Sequence, residues 1–462
     1  MTPPNRFSTR PLYWVLRLFT DVREGEAASA LLMSLNVFLI LCAYYFIKPL
    51  REGWIAVSDI GGLEKMEVKA YSSFGQSLLL LPVVWWYGRL SARWDRNRLI
   101  TRATLFCMSN MLVFWFLQPD LFVPNLPYTG ILFYLWVGMF GVFVVAQFFA
   151  FAADLYSEER GERLLPLVAL GATAGAAFGS FVTVPLVKSA VFGTEWLLLI
   201  AMLPLMASIG LTRIVDRRER EAPAAEPRPP RRDSGRGAIS LVFSSRFLVA
   251  VGVITLMLSW VNTNGENLLF RVVQEFLASE AADRGIVGAE PVLLFTRDGT
   301  TAFYGDFFTW VNVVALVLQA FVASRILKYG GFGPLLLTMP VIALLSYSAM
   351  ALVPVLAIVK AMKIAENSTD YSINNTARHV LWLPVSSEMK YKGKTTIDTF
   401  FVRAGDGLAA LTVLVGVQML ALPTASFFVI NVGLVLIWLA LALVVIREYR
   451  RLSQEGSADE AP

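Results

Sequence analysis

Long apolar stretches, separated by short polar segments, recur along the whole chain. A helix needs about 20 apolar residues to cross a membrane, and twelve stretches approach that length. They lie near residues 29–48, 70–87, 99–117, 129–153, 164–187, 194–214, 246–268, 302–327, 333–353, 355–377, 395–421 and 424–446. The pattern predicts an all-α membrane protein with about twelve transmembrane helices.

A polar segment divides these stretches into two sets of six. Residues 216–237 are rich in arginine, proline and glutamate and show no apolar periodicity, which indicates a loosely held linker. We expect an N-terminal six-helix bundle over residues 1–214, a cytoplasmic linker over 215–245, a C-terminal six-helix bundle over 246–447 and a cytoplasmic tail over 448–462.

The loop after the second stretch has a recognisable pattern of glycine and arginine. It carries Gly88, Leu90, Arg93, Asp95, Arg96 and Arg98. This loop resembles the one between the second and third helices of major facilitator transporters, and a weaker echo follows the eighth stretch at residues 324–331. Two similar six-helix halves joined by a linker are what that fold requires, with a substrate site between the halves near the midplane.

Composition and charge agree with a membrane protein. Hydrophobic residues make up 56% of the 462 positions, against about 45–50% in soluble domains. Basic residues concentrate before the first stretch, in the loop at 89–102, in the linker and in the tail. By the positive-inside rule both termini are expected in the cytoplasm. No cleavable signal peptide is expected, because the first apolar stretch is long enough to stay in the membrane.

Motifs of enzyme chemistry are missing from the sequence. It contains no H-E-x-x-H, no G-x-S-x-G and no phosphate-binding loop. Cys42 and Cys107 both lie in apolar runs and indicate neither a disulfide nor a metal site. We therefore expect no enzymatic activity, no metal, no cofactor and no nucleic-acid partner.

Glycines recur every four residues in the fifth stretch, at Gly171, Gly175 and Gly179. Small residues at this spacing let two helices approach closely. No Lys-Ser or Lys-Thr follows them, so a phosphate-binding loop is not indicated. The spacing predicts a tight helix–helix contact.

The most polar of the stretches that have apolar runs on both sides extends from residue 360 to residue 407. Lys360, Lys363, Asn367, Asp370 and Asn374 follow at steps of three and four, which places them on one face of a helix. A charge at the bilayer centre costs about 2.5–3.5 kcal/mol, so such residues normally face a wet cavity. The alternative is that this helix lies outside the membrane, but the apolar stretches on either side favour a span here.

Other apolar stretches also carry charges. Lys48 and Arg51 share a face with Tyr44, either in a cavity or snorkelling to the headgroups at the helix end. Asp154 lies late in the fourth stretch. It could belong to a substrate site, or it could lie there only as a charged residue at the end of a helix. Glu266 follows Ser259 and Asn262 on the seventh stretch, where a hydrogen-bond network between helices is the alternative.

The eleventh stretch adds a second set of charges. Lys394 and Asp398 are four apart and could be no more than a helical ion pair. Arg403 lies deeper. Several basic groups in one cavity, partly offset by acids, suit a polyanion, because arginine offers paired donors to phosphate and lysine a compact charge.

One segment resembles a known family. The run K-x-K-G-K-x-x-I-D is the hallmark of the ATP/ADP translocases of plastids and obligate intracellular bacteria, and it is matched by Lys390, Lys392, Gly393, Lys394, Ile397 and Asp398. Flanking matches are Tyr371-Ser372, Pro384, Arg403 and Gly405. Thinner matches elsewhere are Arg51-Glu52, Asp154 and Glu266.

The resemblance implies a function and a set of site residues. It implies a monomeric, twelve-span transporter of a bacterial inner membrane that exchanges nucleotides such as ATP and ADP by alternating access. The phosphates would be bound by Arg51, Arg271, Lys360, Lys363, Lys394 and Arg403. Charge would be balanced by Asp154, Glu266, Asp370 and Asp398, and Lys48 and Asn367 complete the expected substrate site.

Departures from the family pattern keep other functions open. Thr395-Thr396 replace the usual Ala-Ala, His379 stands where an acid is usual, and Arg378 replaces a lysine. These changes lie near the expected site, so the substrate could differ from ATP and ADP. The alternatives are a proton-coupled carrier of another anionic metabolite and a membrane partner or assembly factor that transports nothing.

Overall fold

The structure is a computed structural model, and its description covers most of the chain. The described residues are 26–91, 96–118, 122, 126–156, 158–189, 191–220, 238–385, 389 and 393–459. Residues 92–95 of the glycine- and arginine-bearing loop, residues 221–237 of the expected linker, and Lys390 and Lys392 of the family motif lie outside them.

Twelve long helices make up the bundle within these described residues. In chain order, α1 to α12 span Ala27–Ala56, Lys65–Ser91, Arg96–Phe116, Pro127–Leu155, Glu158–Val187, Leu197–Arg220, Arg246–Asp283, Ala289–Gly330, Phe332–Leu352, 356–380, Lys394–Met419 and Thr424–Asp459. All twelve coincide with predicted stretches. Over the described chain, ten are long and apolar enough to cross a membrane, the exceptions being α2 and α10. Those two carry the buried charges Lys69, Lys363 and Glu366, which lower their hydropathy.

Several helices extend well beyond the apolar stretches. The mixed charges of residues 274–299 predict a long solvated loop, but α7 continues to Asp283 and α8 begins at Ala289. That expectation was wrong, because a polar helix in water needs no apolar face to the bilayer. A short helix, Ala238–Ser244, occupies part of the expected linker, and α12 runs through most of the expected tail.

The helices form two six-helix halves, as the sequence predicts, in the major facilitator arrangement. One core of buried residues lies wholly within α1 to α6, and a second fills α7 to α12 and reaches across to α1 and α2. Between the halves, α8 packs on α1 and α5, while α2 packs on α7 and α11. We call the end of the bundle where α1 begins the near end and the opposite end the far end.

The glycine spacing on α5 produces the predicted tight contact. A Cβ atom at Gly175 would lie 2.7 Å from the Cα of Phe38, and one at Gly179 would lie 2.5 Å from the carbonyl oxygen of Cys42. The two backbones of α1 and α5 therefore touch along their length. The contact fixes the position of α1, which carries Lys48 and Arg51.

Candidate substrate site

A small polar cavity of about 180 Å³ lies between the two halves. It is lined by Lys48, Arg51, Lys69, Ser73, Gln76, Tyr134, Asn262, Thr263, Glu266, Asn267, Phe308, Asn367 and Tyr371. Helices α1, α2 and α4 of one half face α7, α8 and α10 of the other. Three lining side chains are basic and one is acidic, so the wall of the cavity carries a positive excess.

Helix α1 reaches this cavity because it passes through Pro49 without breaking. Proline has no N–H, so the carbonyl oxygen of Tyr45, one turn earlier, loses its helical partner. The hydroxyl of Thr183 on α5 lies 3.4 Å from that oxygen and 2.9 Å from the carbonyl oxygen of Gly179, so its one hydrogen is shared between the two acceptors. Lys48 and Arg51 consequently lie inside α1, and the snorkelling alternative does not describe them.

Lys48 points into a group of aromatic rings. Its Nζ atom lies 4.0 Å from the centroid of Phe308, 4.9 Å from that of Tyr45 and 6.0 Å from that of Tyr371. Such cation–π contacts contribute about 0.5–2 kcal/mol each. In the part of the chain that the structure describes, no carboxylate forms an ion pair with Lys48, in contrast to Arg51 and Lys69.

Arg51 and Lys69 share one buried carboxylate. Glu52 is 1% exposed, accepts a hydrogen bond from Arg51 Nε at 3.0 Å and lies 3.0 Å from Lys69 Nζ. Lys69 also donates to the backbone oxygen of Glu266 at 3.3 Å, which joins α2 to α7 across the two halves. Lys69 also donates to the Tyr304 hydroxyl at 3.4 Å, so its three N–H groups all have partners. Arg51 bonds Glu52 through Nε and Nη2, which leaves its other N–H groups for the cavity.

The opposite wall carries a carboxylate cluster. Asn367 on α10 donates to Glu266 Oε1 at 2.7 Å. Lys363 Nζ lies 3.5 Å from that same oxygen and 2.7 Å from Glu366 Oε2. Lys363 and Glu366 are fully buried, whereas the Glu266 side chain is 25% exposed and faces the cavity.

Three amide groups at the cavity have atoms without a partner. Gln76 Oε1, Asn262 Oδ1 and Asn267 Nδ2 are buried and make no hydrogen bond within the described residues. Buried polar atoms are nearly always hydrogen-bonded in a folded protein. These atoms are therefore suited to hold a ligand or ordered water.

A second, larger cavity of about 510 Å³ adjoins the first on the near-end side. Tyr371 lines both cavities. The larger one also has Tyr45, Asn312, Asp370 and Arg378 in its wall. The larger cavity thus lies between the near end and the small cavity that contains Lys48, and Tyr371 forms part of the wall of both.

Polar bonds join the two halves at the far end. Arg271 on α7 lies 3.7 Å from Glu64, and Gln418 on α11 donates to Glu67 at 2.9 Å. Thr194 donates to Asp298 at 2.8 Å. These bonds hold the far end closed over the small cavity.

The structure brings together about half of the residues expected from the sequence. Lys48, Arg51, Glu266 and Asn367 line the small cavity, Lys363 lies directly behind Glu266, and Asp370 lines the larger cavity.

The other expected residues lie elsewhere. Lys360 pairs with Asp306 on α8, Arg271 belongs to the far-end closure, and Arg403 bonds Ser77 and Asp406. Asp398 pairs with Arg378 at 2.7 Å instead of with Lys394, which lies at the start of α11. Asp154 is on α4, and its side chain lies outside the described part of the structure.

Several cavity residues escaped the sequence analysis. Lys69 lies one turn after Lys65 at the start of α2, where charges are usually solvated, and Glu366 lies off the stripe that starts at Lys360. A signal existed for Lys69, since it is followed by an apolar run. The sequence gives no signal for the aromatic rings around Lys48, because aromatic residues are common throughout these helices.

The two halves and the cavity between them have the architecture of the major facilitator fold. Solved structures of this architecture resemble the chain at low sequence identity. A crystal structure of an auto-inhibited peptide transporter of the POT family aligns with a TM-score of 0.58 and 12% identity, covering 92% of this chain and 97% of that one. The nucleoside transporter NupG aligns with a TM-score of 0.51 and 12% identity, covering 92% of this chain and 98% of that one. The human organic anion transporter MFSD10 aligns with a TM-score of 0.53 and 15% identity, covering 91% of this chain and 100% of that one.

Sequence comparison finds more particular but shorter similarities. ADP,ATP carrier protein 1 of Chlamydia pneumoniae is 24% identical over 163 residues, which cover 30% of this chain and 32% of the relative. The protein of the same name from Chlamydia muridarum is 24% identical over 165 residues, covering 31% of each. The match thus spans about a third of these relatives. No protein-family model matches the chain. Together these similarities support a multi-pass membrane transporter.

Proposed function

We propose that the protein exchanges phosphorylated anions, nucleotides of the ATP and ADP type, across a bacterial inner membrane by alternating access. The observation that carries this proposal is Lys48. It is a cation in the cavity between the halves, and its neighbours are aromatic rings in place of a carboxylate. A charge with so little water costs free energy, and an anionic substrate would supply the missing counter-charge.

The neighbouring cations suit phosphate groups. Arg51 and Lys69 line the same cavity and share Glu52, so together they carry one positive charge more than that carboxylate balances, and Arg51 keeps N–H donors for a ligand. A guanidinium binds phosphate oxygens in pairs, and an ammonium adds a point charge. Three cations line the cavity, against Glu266 in its wall and Glu52 behind it, and this positive excess favours an anion over a neutral sugar.

The rest of the site suits a nucleoside. Tyr45, Phe308 and Tyr371 offer ring faces on which a base could stack. The unpartnered amides of Gln76, Asn262 and Asn267 offer hydrogen bonds of the kind that orient a polar ligand in a mostly apolar pocket. The two chlamydial relatives are named ADP,ATP carriers, which points in the same direction.

Transport would follow from rocking of the two halves around this site. In the conformation described here the far end is closed by bonds such as Arg271 with Glu64. By the positive-inside rule the distribution of basic residues favours a cytoplasmic near end, so this would be the inward-facing side. A single chain contains both halves, and we propose that it works as a monomer.

The test is a thermal-unfolding screen of the purified full chain against ATP, ADP, AMP, inorganic phosphate, adenosine and a dipeptide. A ligand at 100 times its Kd adds about 2.7 kcal/mol of stability. We expect ATP and ADP to stabilise the protein and adenosine and the dipeptide to have no effect. Labelled ATP should then enter proteoliposomes loaded with ADP and stay outside empty ones.

Other outcomes would replace the proposal. Uptake into empty vesicles under a pH gradient would indicate a proton-coupled carrier of an anion. Failure of every anion to stabilise the protein, with no uptake, would indicate a membrane partner without transport activity.

A further inference from the structure

The cluster behind the cavity holds more carboxylates than cations. Glu266 and Glu366 both contact Lys363, and no other cation forms an ion pair with either carboxylate in the described chain. Lys363 and Glu366 are completely buried. One ammonium group neutralises one carboxylate, so the charge of the second is balanced only by Lys48, Arg51 and Lys69 in the cavity wall. That second charge becomes costly when an anion occupies those cations.

Tyr347 shows where a compensating proton would go. Its hydroxyl has one hydrogen and two acceptor neighbours, Glu366 Oε1 at 2.9 Å and the backbone oxygen of Val261 at 3.2 Å. A backbone oxygen can only accept. If Tyr347 donates to Val261, Glu366 must donate to Tyr347, which it does only in its protonated form.

The sequence makes room for this cluster on α7. A Cβ atom at Gly265 would overlap the Tyr347 hydroxyl and lie 2.8 Å from Lys363 Nζ. Gly265 therefore allows Lys363 to lie between the two carboxylates, and it is adjacent in the chain to Glu266. The cluster is a packed arrangement that includes α7, α9 and α10.

From these contacts we propose that Glu266 and Glu366, bridged by Lys363, form a proton-binding site coupled to the substrate cavity. An anion in the cavity makes this site bind its proton more tightly, and with the proton bound Lys363 needs to neutralise only one carboxylate. When the anion leaves, the site binds the proton less tightly. The inference that the proton moves with a substrate rests on the proposed function, whereas the existence of the proton site does not.

The coupling follows from the position of Glu266. Its carboxylate lines the cavity on one side and touches Lys363 on the other. The further charged groups that face it are Lys69, which donates to its backbone oxygen, and Lys48 and Arg51 across the cavity, with Glu52 behind Arg51 and Lys69. An anion bound to Lys48 and Lys69 would cancel part of the positive potential that these two cations create at the Glu266 carboxylate. Protonation of Glu266 would then become more favourable. ATP carries one more negative charge than ADP and would favour protonation of Glu266 more strongly, so more protons should accompany ATP inward than ADP outward.

The first experiment needs no substrate. Infrared spectra of the purified full chain, recorded across about pH 5 to 10, report the carbonyl band of a protonated carboxyl group. We expect a buried band in the unmodified protein that disappears at high pH and is missing from Glu366→Gln. Asp306→Asn, which removes the carboxylate paired with Lys360 away from the cavity, should leave the band unchanged.

A second variant covers the case in which Glu366→Gln does not fold. Glu266→Gln leaves Lys363 and Glu366 as a neutral pair, and it should also abolish the band. A band that persists in both variants, or no band in the unmodified protein, would overturn the proton site.

The second experiment tests the coupling in proteoliposomes that contain ADP and a trapped pH dye. Addition of ATP should acidify the interior of vesicles with the unmodified protein or Asp306→Asn. In vesicles with Glu366→Gln, protons taken up per nucleotide exchanged should fall to background. Exchange with no acidification in the unmodified protein would overturn the coupling. No exchange at all, with the infrared band present, would overturn the proposed function and leave the proton site standing.

Discussion

Gly175 of α5 and Phe38 of α1 lie backbone against backbone. A Cβ atom at Gly175 would stand 2.7 Å from the Cα of Phe38 and would overlap its carbonyl oxygen. The contact sets the distance between α1 and α5, and α1 carries Lys48 and Arg51 into the cavity. The position of the basic wall of the site thus depends on a residue with no side chain.

This relationship predicts that Gly175→Ala destabilises the protein. Overpacking of a filled contact costs about 1–3 kcal/mol, which exceeds the gain of up to about 1 kcal/mol from replacing glycine by alanine in a helix. Thermal unfolding in detergent measures the effect. The matched control is Gly210→Ala on α6, where a Cβ meets no atom within 4 Å. Equal melting temperatures for the two variants would contradict the packing described here.

Lys48→Gln should weaken binding of the anionic substrate. If Lys48 supplies the cation that lacks a carboxylate partner, its loss removes a charge-assisted contact of about 1.5–3 kcal/mol, or about 10- to 150-fold in Kd. The ATP dependence of the melting temperature gives this shift. Lys328→Gln is the matched control, because Lys328 also lies over an aromatic ring, that of Tyr329 at 5.5 Å, but on an exposed helix end. If Lys48→Gln and Lys328→Gln weaken ATP binding equally, Lys48 is excluded from the site.

Glu52→Gln should destabilise the empty protein. It leaves Arg51 and Lys69 buried with no shared carboxylate, and breaking a buried ion pair costs about 3–5 kcal/mol. Added phosphate or ATP should then stabilise this variant more than the unmodified protein, because an anion replaces the lost charge. Glu280→Gln, which removes an exposed pair with Arg284, should change stability by at most about 1 kcal/mol. Similar effects of the two changes would show that Glu52 does not balance these cations.

The large elements of the fold were predictable because they depend on local pattern. An apolar run of membrane length forms a helix wherever it stands, since its backbone groups must bond within the run. The same argument located Lys48, Arg51 and Glu266, because a charge inside such a run is expensive. Glycines at every fourth position indicated the α1–α5 contact without naming α1.

The partners of the charges were not predictable from the sequence. Lys360 and Lys363 are three residues apart, yet one pairs with Asp306 on α8 and the other with Glu366 and Glu266. Which carboxylate a lysine meets depends on how helices distant in sequence pack together. Segments with π-helical turns, such as Asp370–Asn374 in α10, also shift the register that a regular spacing assumes.

Arg403 is the clearest example of this limit. Its match to the family pattern implied a phosphate ligand, but it donates to Ser77 on α2 at 2.6 Å and lies 3.1 Å from Asp406. Ser77 donates in turn to Asp406 at 2.5 Å. The three residues connect α2 of one half to α11 of the other.

Ser77→Ala should therefore act on stability and leave ligand recognition intact. The change removes the hydroxyl that both Arg403 and Asp406 bond, so the free energy of unfolding should fall by about 1–3 kcal/mol. The stabilisation by ATP should persist, because Ser77 does not line the cavity at Lys48. Ser109→Ala, whose exposed hydroxyl bonds only its own helix at Phe106, should leave the melting temperature nearly unchanged. A loss of ATP stabilisation in Ser77→Ala without a loss of stability would instead place Arg403 in the substrate site, as the family pattern implied.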